Sequence, residues 1–186
     1  MKKIAGLAFT FALSAALLAG CGGGSGNSAA GDAAGGNAAA NQTADAMTSA
    51  SVVNTNDAFL KAIGADGTWI IATLNDLTFD QDLVLEGDFT NKDAKARKIA
   101  LYTQDADHNI TASFKLTAPK LTVKSENARI QGGTFVGDVY VEAPGFKLVD
   151  ATIEGNLYFA SEELQSTFDA SDNGKVTGVT EVKAAE

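Results

Sequence analysis

The chain has 186 residues and a net charge of -9, from 14 Lys and Arg against 23 Asp and Glu. That length holds one ordinary domain and a tail, and so acidic a chain is a poor partner for nucleic acid, whose binding rests on neutralising phosphates. A single Cys excludes an internal disulfide, and a single His excludes His-paired metal motifs and most acid–base dyads.

Met1, Lys2 and Lys3 make a basic start, and Ile4 to Leu18 is an apolar run broken only by Gly6, Thr10 and Ser14. The run is too short and too rich in Ala to span a bilayer and has the form of a secretory signal, assigned to residues 1–20. It ends in Leu18-Ala19-Gly20-Cys21. This motif resembles the lipobox of bacterial lipoproteins. The resemblance implies that the Cys21 thiol receives diacylglycerol and that the signal is cut before it. Acyl burial at roughly 0.8 kcal/mol per CH₂ then holds the protein on a membrane. Residues 21–51 carry the lipidated Cys and a run dominated by Gly, Ala, Ser, Asn and Thr, with two Asp, one Gln and one Met and no Lys, Arg or aromatic residue. Such a run cannot bury enough apolar surface to repay its ordering entropy, so a disordered, flexible tether is expected. The Cys-Gly-Gly-Gly-Ser start is similar to Gram-positive lipoprotein tethers.

Residues 52–186 form the expected folded domain. Thr55 to Ile63 reads as a short helix, with Thr55 or Asn56 as N-cap, Phe59, Leu60 and Ile63 on one face and Gly64 at its end. Short β-rich pieces come next at Trp69–Ile71, Leu77–Phe79, Leu83–Leu85 and Ile99–Leu101, and no later stretch shows a helical period. Thr134–Val141 aligns with Thr152–Phe159 at an offset of 18 residues. The same offset places Leu121, Val139 and Leu157 in one column, Val123, Val141 and Phe159 in a second, and pairs Phe135 with Ile153 and Ile130 with Leu148. Three short strands and three tight turns occupy about 18 residues, which predicts an all-β fold: one turn of a parallel β-helix, each turn stacked about 4.8 Å from the next. Gly137 and Gly155 fall at a matching corner, with Pro119 there one turn earlier and Pro144 at another corner. Outward residues form two more columns: Thr122, Tyr140 and Tyr158 in one, Arg129 and Lys147, continued by Gln165, in the other.

The Gly-Asp-Val-x-Val and Glu-Gly-Asn-Leu units resemble bactofilin-type and pectate-lyase-like β-helices, best over residues 118–160. The resemblance implies a right-handed coil. Larger loops are expected at Asn91–Lys98 and Asp105–Asn109. The helix would cover the first end of the coil, and a hairpin around Asp172-Asn173-Gly174 would cover the other. Closed ends predict a monomer and argue against the polymerisation that bactofilins show.

Few motifs point to chemistry. Asp105-Ala-Asp107-His108-Asn109 starts like a calcium loop but has Ile110 and Leu116 where Gly and Glu belong. Asp169–Gly174 fits better, yet has Thr180 at its last position and no flanking helices. No cofactor and no metal ligands are assigned, with weak calcium binding left open. Asp80, Asp82, Glu86 and Asp88 are the densest acidic group, the one place a pair for glycoside hydrolysis would be sought. No catalytic residue is assigned. Two stacked tyrosines on a flat face suit sugar rings or a partner protein, so Thr122, Tyr140 and Tyr158 are the expected ligand surface. The expected protein is a non-enzymatic structural, adhesion or binding module of the cell envelope. It would be extracytoplasmic, anchored through lipid on Cys21, with a cell-wall glycan or surface protein as partner and no nucleic acid. A carbohydrate-binding or polysaccharide-active protein and a bactofilin-like scaffold are the alternatives.

Overall fold

The computed structural model describes residues 50–184. The signal, Cys21 and nearly all of the tether lie outside the described residues. Two parallel sheets dominate the fold. The first has the order Ala50–Val53, Ile70–Thr73, Arg97–Ala100, Ala128–Gln131, Lys147–Val149, Asp169–Asp172. The second is centred on two long strands, Lys115–Val123 and Thr134–Val141, flanked on one side by Leu77–Thr78 and Leu83–Leu85. On the other side stand Thr152–Glu154 and Leu157–Phe159, then Lys175–Val176 and Thr180–Val182. Among the described residues, two short helices, α1 (Asn56–Ile63) and α2 (Glu162–Ser166), and two antiparallel hairpins complete the fold, which is all-β.

Period-two alternation in the strands sends one set of side chains into a common core. Leu83, Leu121, Val139 and Leu157 are neighbours in register, as are Leu85, Val123, Val141 and Phe159. All eight are at most 1 % exposed. Leu77, Leu116, Phe135, Ile153 and Val176 line the other half of the same sheet, and Ile71, Ile99, Ile130 and Leu148 supply the facing sheet. Each of these side chains that is fully buried contributes about 1.5–3 kcal/mol, and Val176 at the edge, which is partly buried, contributes less.

Thr55 caps α1, its side chain accepting from Ala58 N, and Phe59, Ala62 and Ile63 turn into the core. Gly64 follows the helix in extended rather than left-handed backbone, so it does not satisfy the last carbonyls. Arg97 does. It is 1 % exposed, and its guanidinium donates to Ala62 O at 2.9 Å, Gly64 O at 3.0 Å and Thr68 O, and lies over the Phe89 ring. Burial pulls its pKa down to about 10, partly offset by the Glu86 carboxylate, and it stays charged at neutral pH.

Several expectations are corrected. The first strand takes in Ala50 and Ser51, at the end of the expected tether. Ser51 is held there by hydrogen bonds with the Thr68 hydroxyl. The loop expected at Asn91–Lys98 is a hairpin, Thr90–Asn91 with Ala94–Lys95, turning on left-handed Lys92 and Asp93. The second loop, at Asp105–Asn109, joins Tyr102–Gln104 to Ile110–Ser113 in an antiparallel pair. Helix α2 falls where no helix was expected. Ser161 caps it by accepting from Leu164 N, with Glu162 and Glu163 in the first turn where the helix dipole favours them.

Inserting α2 shifts the register of the strands after it. Lys147 pairs with Asp169, not Gln165, and the two form an ion pair at 3.0 Å. A stack of like charges thus ends in an opposite one. No hairpin forms around Asp172-Asn173-Gly174. Asp169–Asp172, Lys175–Val176 and Thr180–Val182 each join a preceding strand in parallel. Among the described residues nothing pairs with their outer side.

Candidate functional site

Thr122, Tyr140 and Tyr158 are adjacent in register on the outward face of the second sheet, with Val84 before them and Glu181 after. The strands place them so because Leu121, Val123, Val139, Val141, Leu157 and Phe159 on either side of each are pulled inward. The column is less open than expected. Thr122 and Tyr140 are only 9 % and 8 % exposed. The residues after Thr180–Val182 reach this column. Tyr140 Oη donates to Lys183 O at 2.8 Å, and Lys183 Nζ sits 5.3 Å from the centroid of the Tyr158 ring. Burial, reinforced by the Glu142 carboxylate and opposed by the Lys183 ammonium, raises the Tyr140 phenol above its ordinary value.

Beside the rings is a cavity of about 220 Å³, lined by Pro119, Lys120, Thr122, Asp138, Tyr140, Glu142, Tyr158, Lys183 and Ala184. Drug-sized pockets run to about 300–1,000 Å³, so this one has room for a single ring or side chain, not a cleft for a long polymer. Its walls mix aromatic faces, two carboxylates and two lysines. Lys120 pairs with Asp82 at 2.9 Å. Asp138 is fixed at the neighbouring corner, where its Oδ1 accepts from Asn156 N at 2.9 Å and Asn156 Nδ2 at 3.0 Å. Asn156 Oδ1 in turn accepts from Val179 N at 3.0 Å. This ladder ties the strand Thr134–Val141 to the residues just before Leu157–Phe159 and Thr180–Val182.

Compared with known proteins, the chain matches no family model, no curated protein and no solved structure. The site is therefore read from its own geometry.

The other sequence candidates do not converge. In the acidic group Asp82 faces Lys120, Asp88 pairs with Lys95, and Glu86 acts on Arg97. Each of these carboxylates answers a different cation. Among the described residues no three His, Cys, Asp or Glu side chains gather to hold a metal ion. Both calcium-like loops spend their first carboxylate internally. Asp105 accepts from Asp107 N, Asn109 N and Asn109 Nδ2, which lowers its pKa. Asp169 accepts from Ser171 N, Ser171 Oγ and Lys147. His108, in left-handed backbone, lies 3.0 Å through Nδ1 from Gln104 Nε2 in an exposed turn.

Sequence reasoning missed Asp138, Glu142, Lys183 and Ala184 as parts of the site. A signal existed. Gly178-Val179-Thr180-Glu181-Val182 matches Gly155-Asn156-Leu157-Tyr158-Phe159 in its glycine and its alternation, at a longer spacing created by α2.

Proposed function

We propose that this protein is a non-enzymatic binding module of the bacterial envelope. It is a short right-handed parallel β-helix held to the membrane by lipid on Cys21 through a Gly/Ala/Ser/Asn-rich tether, and it presents the Tyr140–Tyr158 groove to a sugar ring of a surface glycan. The anchor rests on the Leu18-Ala19-Gly20-Cys21 likeness to a lipobox. The β-helix is supported by the pairing of Arg129 with Lys147, Thr134 with Thr152 and Val139 with Leu157. These pairs are 18 positions apart on two sheets that share one core.

The observation that carries the binding role is the cavity of about 220 Å³ beside two tyrosines adjacent in register. An aromatic face packs against the C–H side of a pyranose, while the Asp138 and Glu142 carboxylates accept from its hydroxyls and Lys120 donates to them. Its size favours recognition of one ring over processive cleavage, and the acidic side chains nearby are engaged by cations or by amide donors. A glycan array probed with the purified chain should give a defined set of positives that Tyr158→Ala abolishes. A blank array removes the binding role. The anchor has its own test: metabolic palmitate label on the chain, lost in Cys21→Ser. Label retained in that variant places the lipid elsewhere.

A further inference from the structure

The segment after the last strand sits on the very surface that the proposed function needs. Tyr140 is 8 % exposed, and Lys183 and Ala184 pass beside it in the wall of the cavity. Among the contacts that hold the crossing are three: Lys183 N to Phe159 O at 2.9 Å, Tyr140 Oη to Lys183 O at 2.8 Å, and the Lys183 ammonium over Tyr158. The first extends the sheet by one residue. The other two use the groups that a sugar would use, the phenol of one tyrosine and the ring face of the other. Lys183 and Ala184 are themselves exposed, and a neutral hydrogen bond and an open cation–π contact are each modest in water. A ligand that offers a hydroxyl to Tyr140 and a ring to Tyr158 replaces both contacts in kind.

The geometry points to Lys183–Ala184 as a displaceable strap that occupies the Tyr140–Tyr158 groove and competes with the sugar for it. This rests on the reading of the groove as a binding site, and it adds the regulation of that site. Access is then set by an equilibrium inside the molecule, and the apparent affinity of the ligand falls by the fraction of molecules with the strap closed. Anything that engages Lys183 elsewhere, an anionic surface for example, opens the groove.

The test compares the full chain with one ended at Val182 and with Tyr140→Phe, which keeps the ring in the strand Thr134–Val141 and removes the phenolic hydroxyl that clamps Lys183 O. Tetranitromethane nitrates accessible tyrosines, and peptide mass spectrometry assigns each one. Ending the chain at Val182 should raise nitration of Tyr140 several-fold at unchanged melting temperature, and should strengthen the glycan-array positives. Tyr140→Phe should raise nitration of Tyr158 in the same direction. Nitration unchanged in both variants overturns the strap. Nitration raised with an array that stays blank in every form keeps the strap and removes the glycan reading, so the two failures are told apart.

Discussion

Asp169 shows how one residue can be read twice. In sequence it opens a calcium-like loop. In the fold it closes a charge stack, facing Lys147 at 3.0 Å and accepting from the amide and hydroxyl of Ser171. The Ser171 bonds, then Lys147, hold its carboxyl far below the usual carboxylate range. A depressed pKa means that the folded chain favours the charged form, so the stabilisation is present above the unfolded value of about 4 and fades as pH falls below it. Acidification from pH 5 to pH 2 should therefore lower the melting temperature of the parent more steeply than that of Asp169→Asn. Parallel slopes would show that these bonds do not bias its titration. Arg97 is the opposite case: nothing in Ala96-Arg97-Lys98 marks a buried guanidinium. Its role depends on three carbonyls brought together from Ala62, Gly64 and Thr68, about thirty positions away, and local pattern carries no trace of such a meeting.

At the scale of elements, the corner that includes Gly137 and Gly155 is the tightest joint between strands. A Cβ on Gly155 would lie 2.0 Å from the Gly137 carbonyl oxygen, and one on Gly178 would lie 2.6 Å from the Gly155 carbonyl oxygen. Backbone, unlike a flexible side chain, cannot step aside. Gly155→Ala should cost about 1–3 kcal/mol, the usual penalty for overfilling a packed site, read as a shift of the urea midpoint. A midpoint that does not move would mean the strands stand farther apart than described. The core columns were legible because their side chains alternate strictly and stay in phase where no insertion intervenes, as with Leu121, Val139 and Leu157. The third outward residue after Arg129 and Lys147 was misplaced because α2 adds four positions between Gln165 and Asp169. Period counting fails wherever a turn changes length. The tyrosine column was legible as a column but not as a covered one, since its cover arrives from a strand that the same insertion moved out of phase.

For the whole molecule, the two sides of the stack differ. Helix α1 packs Phe59, Ala62 and Ile63 against the core near the first strands, and Arg97 ties its end down. On the other side Asp169–Asp172, Lys175–Val176 and Thr180–Val182 present outer edges, with Val179 and Val182 exposed at 50 % and 39 %. Such edges invite further strands, yet these are two to four residues long and carry Asp169, Asp172, Lys175 and Glu181. Short, charged edges resist pairing. Sedimentation of the purified chain should accordingly give one species whose mass does not grow with concentration. Growth would return the polymerising scaffold as the better account.

The two antiparallel hairpins have a consequence for how this architecture can change. Each leaves the ladder at the end of one paired strand and comes back at the start of the next, and the pairing of Ile99 with Ile130 and of Ile71 with Ile99 holds on both sides of the excursion. Closing a longer loop costs only slowly more entropy as it grows. The tips at Lys92-Asp93 and Ala106-Asp107 are therefore natural grafting points. A foreign peptide spliced in at either would ride outside the stack as a passenger while the rows of Ile, Leu and Val beneath kept their places.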